Sequence, residues 1–236
     1  METKELLWNK KDNPKNIIPE GGVLLTRVAV LVSGGGSNLQ ALIDAINEDE
    51  IPARIVLVIS NKPGVYALKR ALKHDISSLV IPTENLSREE YSDLILQKLQ
   101  REKIDLVCLA GFMRILSPKV PEAFPNRILN IHPSLLPAFG GKGMYGLRVH
   151  QAVLESGAKY TGATVHLVTA DTDKGPIVCQ QVVKVEDDDT PESLARRVLE
   201  VEHQIYPKAL KLVSEGALEI DGFRTRLKKD TNRNSF

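Results

Sequence analysis

Thr26-Arg-Val-Ala-Val-Leu-Val-Ser33, Gly34-Gly-Gly-Ser-Asn38 and Leu39-Gln-Ala-Leu-Ile-Asp-Ala-Ile-Asn47 follow one another in the chain, and their reading decides the fold. Thr26 to Ser33 is a near-continuous apolar run, the glycines make a turn, and Ser37 to Asn47 places Leu39, Leu42, Ile43 and Ile46 on one helical face. A strand apolar on both sides that feeds at once into a helix opens a βα unit, and such strands belong to parallel sheets covered on both faces. Outward from this unit the alternation continues. Arg54 to Ser60 reads as a strand, followed by a helix around Tyr66 to His74 and a short strand at Ser77 to Ile81. Ser87 opens another helix, and Glu90 three residues on completes a capping box. Asp105 to Ala110 and Arg127 to Ile131 are two more apolar strands. From Gly157 the texture changes: Ala163 to Thr169 alternates polar and apolar residues, as a strand with one cleft-facing side does, and Ile177 to Val185 supplies an antiparallel partner. Thr190 then caps a helix with Pro191 at its first position, running through Leu194, Val198, Val201 and Ile205. The pattern predicts an α/β fold: a single Rossmann-like domain with a mostly parallel central sheet, helices on both faces and a C-terminal antiparallel strand addition.

The composition agrees. Hydrophobic residues make up 42% of the 236, and 31 basic against 30 acidic residues leave a net charge of +1, so no basic field draws nucleic acid or an anionic membrane. Residues 1–25, rich in Lys, Asn and Pro, are expected to form an extension on a domain spanning 26–218, and 219–236 a solvated polar tail. Cys108 and Cys179 sit in the apolar runs IDLVCLAG and GPIVCQQVV, which suits packing in a reducing, cytoplasmic setting rather than a disulfide framework. The N-terminal residues lack an apolar signal region, and no apolar stretch reaches the length of a membrane span. His74, His132, His150, His166 and His203 show no ligand spacing, so no metal is expected.

Three constellations carry chemistry. Ser33-Gly-Gly-Gly-Ser-Asn38 stands where a buried strand meets a helix; glycines let the backbone approach a ligand, and the N–H groups at a helix start favour an anion such as phosphate. Leu39 occupies the place of the third glycine of a dinucleotide fingerprint, Ser60-Asn61 stand where its acidic residue belongs, and Gly141-Lys142 is followed by Gly143 rather than Ser or Thr. Those departures exclude NAD and nucleoside triphosphate but leave the phosphate of a small substrate. In Asn130-Ile-His-Pro-Ser-Leu-Leu-Pro137, Asn130 and His132 are two apart on a strand and project together before Pro133 stops the ladder. An amide donor beside an imidazole of ordinary pKa about 6.5 suits an oxyanion and a proton transfer. Asp171 and Asp173, in Thr169-Ala-Asp-Thr-Asp-Lys-Gly-Pro176, are either ordinary turn residues or carboxylates that approach His132.

LVSGGGSNLQALIDA, VISNKPGVYAL, LAGFMRILSP, LNIHPSLLP, DKGP and EHQIYP, in this order from about Arg27 to about Leu218, resemble the phosphoribosylglycinamide formyltransferases, folate-dependent enzymes of purine biosynthesis. The resemblance implies formyl transfer from 10-formyltetrahydrofolate to the amine of glycinamide ribonucleotide, without a metal. Asn130, His132 and Asp173 would be the catalytic trio, with Asp173 holding His132 charged. Gly36, Ser37 and Asn38 would grip the phosphate and Glu202 the ribose. Met113, Arg114, Ile115 and Leu116 would line the folate pocket, joined by Asn130 and by the Ala170, Asp171 and Asp173 loop, with Arg88 near the formyl-folate or the phosphate. Leu167, Ala170 and Thr172 stand where the family usually has an aromatic residue, an acid and an aliphatic one. Gly140-Gly-Lys-Gly-Met-Tyr-Gly146 is longer than in its common members, and its glycines permit either a lid or simply a longer loop. Partners are expected to be small molecules, with no nucleic acid or membrane, on a monomer or homodimer. Methionyl-tRNA formyltransferase is disfavoured because the chain ends before a basic tRNA domain, and formyltetrahydrofolate hydrolase because 1–25 is too short for a regulatory domain. A non-catalytic folate- or nucleotide-binding module is disfavoured by Asn130, His132 and Asp173 occurring together.

Overall fold

The structure, a computed structural model, describes residues 7–9, 25–48 and 50–229. Five strands form the parallel centre: β2 (Thr26–Val32), β3 (Ala53–Ser60), β4 (Ser77–Val80), β5 (Leu106–Ala110) and β6 (Ile128–His132). β1 (Leu7–Asn9) joins one edge antiparallel to β4, and β7 (Tyr160–Leu167) and β8 (Ile177–Lys184) add antiparallel strands at the other, giving the order β1-β4-β3-β2-β5-β6-β7-β8.

Alternate side chains of β2 serve opposite faces of the sheet. Val28, Val30 and Val32 pack with α1 (Ser37–Asn47), α2 (Tyr66–Lys73), α5 (Leu147–Glu155) and α6 (Pro191–Ser214). Ala29 and Leu31 pack with Tyr91, Ile95 and Leu99 of α3 (Arg88–Arg101) and with Val120 of α4 (Lys119–Ala123). A strand needed by both layers has no polar face to spare, which is why the opening run is apolar throughout. The Ser87 box closes as its spacing predicts, with the Glu90 N–H donating to Ser87 Oγ and the Ser87 N–H to Glu90 Oε2.

Several elements differ from the sequence expectations. The extension contributes β1 to the sheet; the rest of 1–25, apart from Leu25, lies outside the described residues. The expected tail instead begins with a hairpin, β9 (Leu218–Asp221) and β10 (Arg224–Leu227), tied to β8 where Thr225 Oγ1 donates to the Ile177 carbonyl at 2.6 Å; residues 230–236 lie outside the described residues. α4 and α5 carry no side-chain cap, so their starts leave no mark in the sequence. α6 runs past Pro207 to Ser214, because burial of Ile205, Tyr206, Ala209, Leu210 and Val213 outweighs one missing N–H. No helix among the described residues is long and apolar enough to cross a membrane.

Candidate active site

β2 leads to β3 and β4 on one side and β5 and β6 lie on the other, so the strand order reverses between β2 and β5. Beyond the carboxyl ends of the strands, where that reversal opens a crevice, lies a cavity of about 540 Å³. Its walls are the glycine loop after β2, the loop Met113–Leu116 after β5, the end of β6, the loop before α5, the β7–β8 loop and one face of α6. Ser33 Oγ accepts the Met113 N–H at 2.8 Å, tying two of these walls together.

Asn130 and His132 face the cavity from β6. Across the ladder Asn130 is paired with His166 of β7, and Asn130 Nδ2 lies 3.1 Å from His166 Nε2. His166 Nδ1 is 3.0 Å from the Leu167 carbonyl, which only accepts, so Nδ1 carries a proton and, in the neutral ring, Nε2 accepts from Asn130. His132 is 4% exposed, and its Nε2–H donates to the Phe139 carbonyl at 2.8 Å. In the neutral ring that leaves Nδ1 as a lone pair, 3.7 Å from Asp173 Oδ2.

Asp173 reaches this position from a left-handed backbone, φ +56°, and its Oδ2 accepts the Gly141 N–H at 2.8 Å, while Oδ1 lies 3.6 Å from His166 Nε2. Gly140 makes the approach possible: a Cβ there would stand 2.4 Å from Leu136 Cδ2 and 3.3 Å from Asp173 Cβ. The start of the long glycine-rich loop is thus pinned to the carboxylate.

Burial raises the Asp173 pKa, but His166, the Gly141 N–H and His132 together outweigh it and hold the carboxyl below its ordinary value. Burial also lowers His132, against the opposing pull of Asp173 and the Phe139 carbonyl. Desolvation of the imidazolium thus works against the charged His132 that the resemblance implies, while the carboxylate 3.7 Å away favours it.

Glu202, on the helix face turned to the glycine loop, is 8% exposed, and its Oε2 accepts from Asn38 Nδ2 at 2.6 Å. Burial pushes its carboxyl up to about 7 despite that bond.

Of the residues singled out from the sequence, Gly36, Ser37, Asn38, Met113, Arg114, Ile115, Leu116, Asn130, His132, Ala170, Asp173 and Glu202 all border the cavity. Arg88 and Asp171 do not. Arg88 sits behind the folate loop, its Nε donating to the Leu116 carbonyl at 3.1 Å, and Asp171 is exposed with its carbonyl accepting from Thr169 Oγ1. His166, on the strand whose alternation predicts a cleft-facing side, borders the cavity, and register sets it beside both Asn130 and Asp173. His150, 3% exposed and also on the wall, is not a site candidate from the sequence, where nothing marks the start of α5. Among the described residues no group of three His, Cys, Asp or Glu is placed to hold a metal.

Known proteins resemble this chain in sequence and fold. The formyl transferase family matches residues 26–210. The chain is 43% identical over 197 residues to the phosphoribosylglycinamide formyltransferase of Haemophilus influenzae, covering 83% of this chain and 91% of that protein. It is 42% identical over 195 residues to the chloroplastic phosphoribosylglycinamide formyltransferase of Arabidopsis thaliana, covering 80% of this chain but 65% of that one, so it spans less than two thirds of the plant relative. A crystal structure of glycinamide ribonucleotide transformylase 1 from Symbiobacterium toebii superposes with a TM-score of 0.82 at 46% identity, over 87% of this chain and 95% of the other.

Proposed function

The chain belongs to the formyl transferase family, and from that premise we propose that it transfers a formyl group from 10-formyltetrahydrofolate to the amine of glycinamide ribonucleotide, in purine biosynthesis. The observation that carries the reading is the convergence of Asn130, His132 and Asp173 on one cavity whose walls include a glycine loop and an apolar loop. The glycine loop offers backbone N–H groups at a helix start for a phosphate, with Glu202 beside it for ribose hydroxyls. The loop after β5, with Met113, Ile115 and Leu116, offers an apolar wall to a flat pterin.

Chemically, the substrate amine attacks the formyl carbon, the carbonyl electrons move to oxygen, and the C–N bond to the folate N10 then breaks. Asn130 has one Nδ2–H engaged by His166 and the other free for the oxyanion. His132, neutral in the free site, offers its Nδ1 lone pair to the proton shed by the amine. The imidazolium so formed is held by ionised Asp173 and favours the oxyanion, and its proton is available to the departing N10. A reducing, cytoplasmic compartment suits the free thiols of Cys108 and Cys179.

The test mixes protein with a 10-formyl-folate donor, with and without glycinamide ribonucleotide, and follows folate deformylation by absorbance. Deformylation only with the ribonucleotide is expected. Deformylation without it identifies a hydrolase, and no reaction in either mixture identifies a binding module.

A further inference from the structure

Arg70 of α2 lies outside the cavity walls, and the reaction above gives it no role. Its Nε donates to the Gly35 carbonyl at 3.0 Å and its Nη1 to Gln40 Oε1 at 2.9 Å. Tyr66, one turn earlier, holds the guanidinium with its ring centroid 4.9 Å away. α2 crowds the loop as well: a Cβ on Gly36 would meet Ala67 Cβ at 2.7 Å and Arg70 Cδ at 3.6 Å. The Gly34 carbonyl accepts the Ala67 N–H at 3.2 Å, so two successive carbonyls of the glycine loop are tied to one helix.

In a trans peptide the C=O and N–H point in opposite directions. The Gly35 N–H shares its peptide with the Gly34 carbonyl, and the Gly36 N–H shares its peptide with the Gly35 carbonyl. Both N–H groups therefore point away from α2, and among the described residues neither donates to another backbone group. The two units differ in one respect. The Gly34 carbonyl meets a neutral amide, whereas the Gly35 carbonyl meets a full positive charge, which polarises that peptide and strengthens the Gly36 N–H at its other end.

We propose that Arg70 is a positioning residue for the phosphate of the acceptor: it anchors the Gly35–Gly36 peptide from behind, so that the Gly36 N–H donates into the cavity. The inference rests on glycinamide ribonucleotide being the acceptor.

Steady-state kinetics of wild type, Arg70→Met and Arg70→Lys are compared with two acceptors, glycinamide ribonucleotide and glycinamide riboside, which lacks the phosphate. Arg70→Met is expected to raise the ribonucleotide KM at least about tenfold, the scale of a lost charge-assisted hydrogen bond, while the folate KM and the riboside kcat/KM change less than about twofold. Arg70→Lys keeps the charge without the planar fork and is expected to recover less than half of that loss. Equal losses with both acceptors overturn the proposal, as do an unchanged ribonucleotide KM or full recovery by lysine. Wild type inactive with both acceptors sinks the proposed function instead. A separate arm then reads the inference: inorganic phosphate is titrated while the Gly36 amide resonance is followed by NMR. A phosphate-induced shift in wild type that is lost in Arg70→Met, with Tm preserved, upholds it, and no shift in wild type overturns it.

Discussion

An asparagine serves an oxyanion only while its amide is held the right way round. Here the Nδ1–H of His166 is taken by the Leu167 carbonyl, which in the neutral ring leaves Nε2 to accept from Asn130 Nδ2, on a side chain that borders the cavity. Asn130→Ala is accordingly expected to lower kcat by about 10²–10³ with little change in ribonucleotide KM, as removal of one oxyanion donor does. Equal losses in both parameters would assign Asn130 a structural role. His132 allows a second expectation. Its folded pKa lies below the ordinary 6.5 because burial opposes charging, so the lone pair needed to take up the amine proton is present at neutral pH and lost only on acidification. The acid limb of kcat/KM is expected below pH 6.5 in the wild type and absent from a residually active His132→Gln. A limb at or above 6.5 would contradict the assignment. The sequence yields Asn130 and His132, because two residues apart on a strand share a face; the pairing with His166 depends on β7 arriving in one register.

At the scale of elements, the loop after β5 gets its shape from outside. Ser33 at the end of β2 accepts the Met113 N–H, and Arg88 at the start of α3 donates to the Leu116 carbonyl, so both ends of the short apolar loop are held from neighbouring units. Arg88→Ala is expected to raise the KM for the formyl-folate by about threefold to tenfold, the scale of one charge-assisted bond, and to leave the ribonucleotide KM unchanged. A change confined to the ribonucleotide would instead place Arg88 at the phosphate. The capping box that starts α3 is visible in Ser87 and Glu90. What Arg88 reaches is not visible, since Leu116 is 28 residues further along the chain.

Across the whole molecule, the burial of Glu202 bears on stability. Its folded carboxyl titrates near 7 against an ordinary 4.5, so the folded state holds more protons in that window. The contribution of the group is therefore complete below 4.5 and lost as pH rises through 7, a difference of about 3 kcal/mol. Glu202→Gln removes the ionisation and keeps an oxygen for Asn38 Nδ2. It is expected to melt several degrees higher than wild type at pH 8 but only about 2–3 °C higher at pH 5, taking 1 kcal/mol as a few degrees of Tm. It should also bind the ribonucleotide more weakly. Melting curves that stay parallel from pH 5 to 8 would show that the carboxylate carries no such penalty. Asp173 works the other way, since its lowered pKa contributes stability that fades on acidification.

Local periodicity was enough to determine the parallel centre of this protein, because strands apolar on both sides leave only a sheet covered by helices. Short-range spacing likewise determined the glycine turn, the Asn130 and His132 pair and the caps at Ser87 and Thr190. Tertiary structure alone decided that Asp173 meets His132 across 41 positions, that Glu202 is buried against Asn38 across 164, and that Arg70 grips the glycine loop. It alone also decided that residues expected as an extension and a tail supply a strand and a hairpin. The physical reason is the same in each case: propensity and period act over one or two turns of chain, whereas these contacts exist only once the sheet has fixed its order and register.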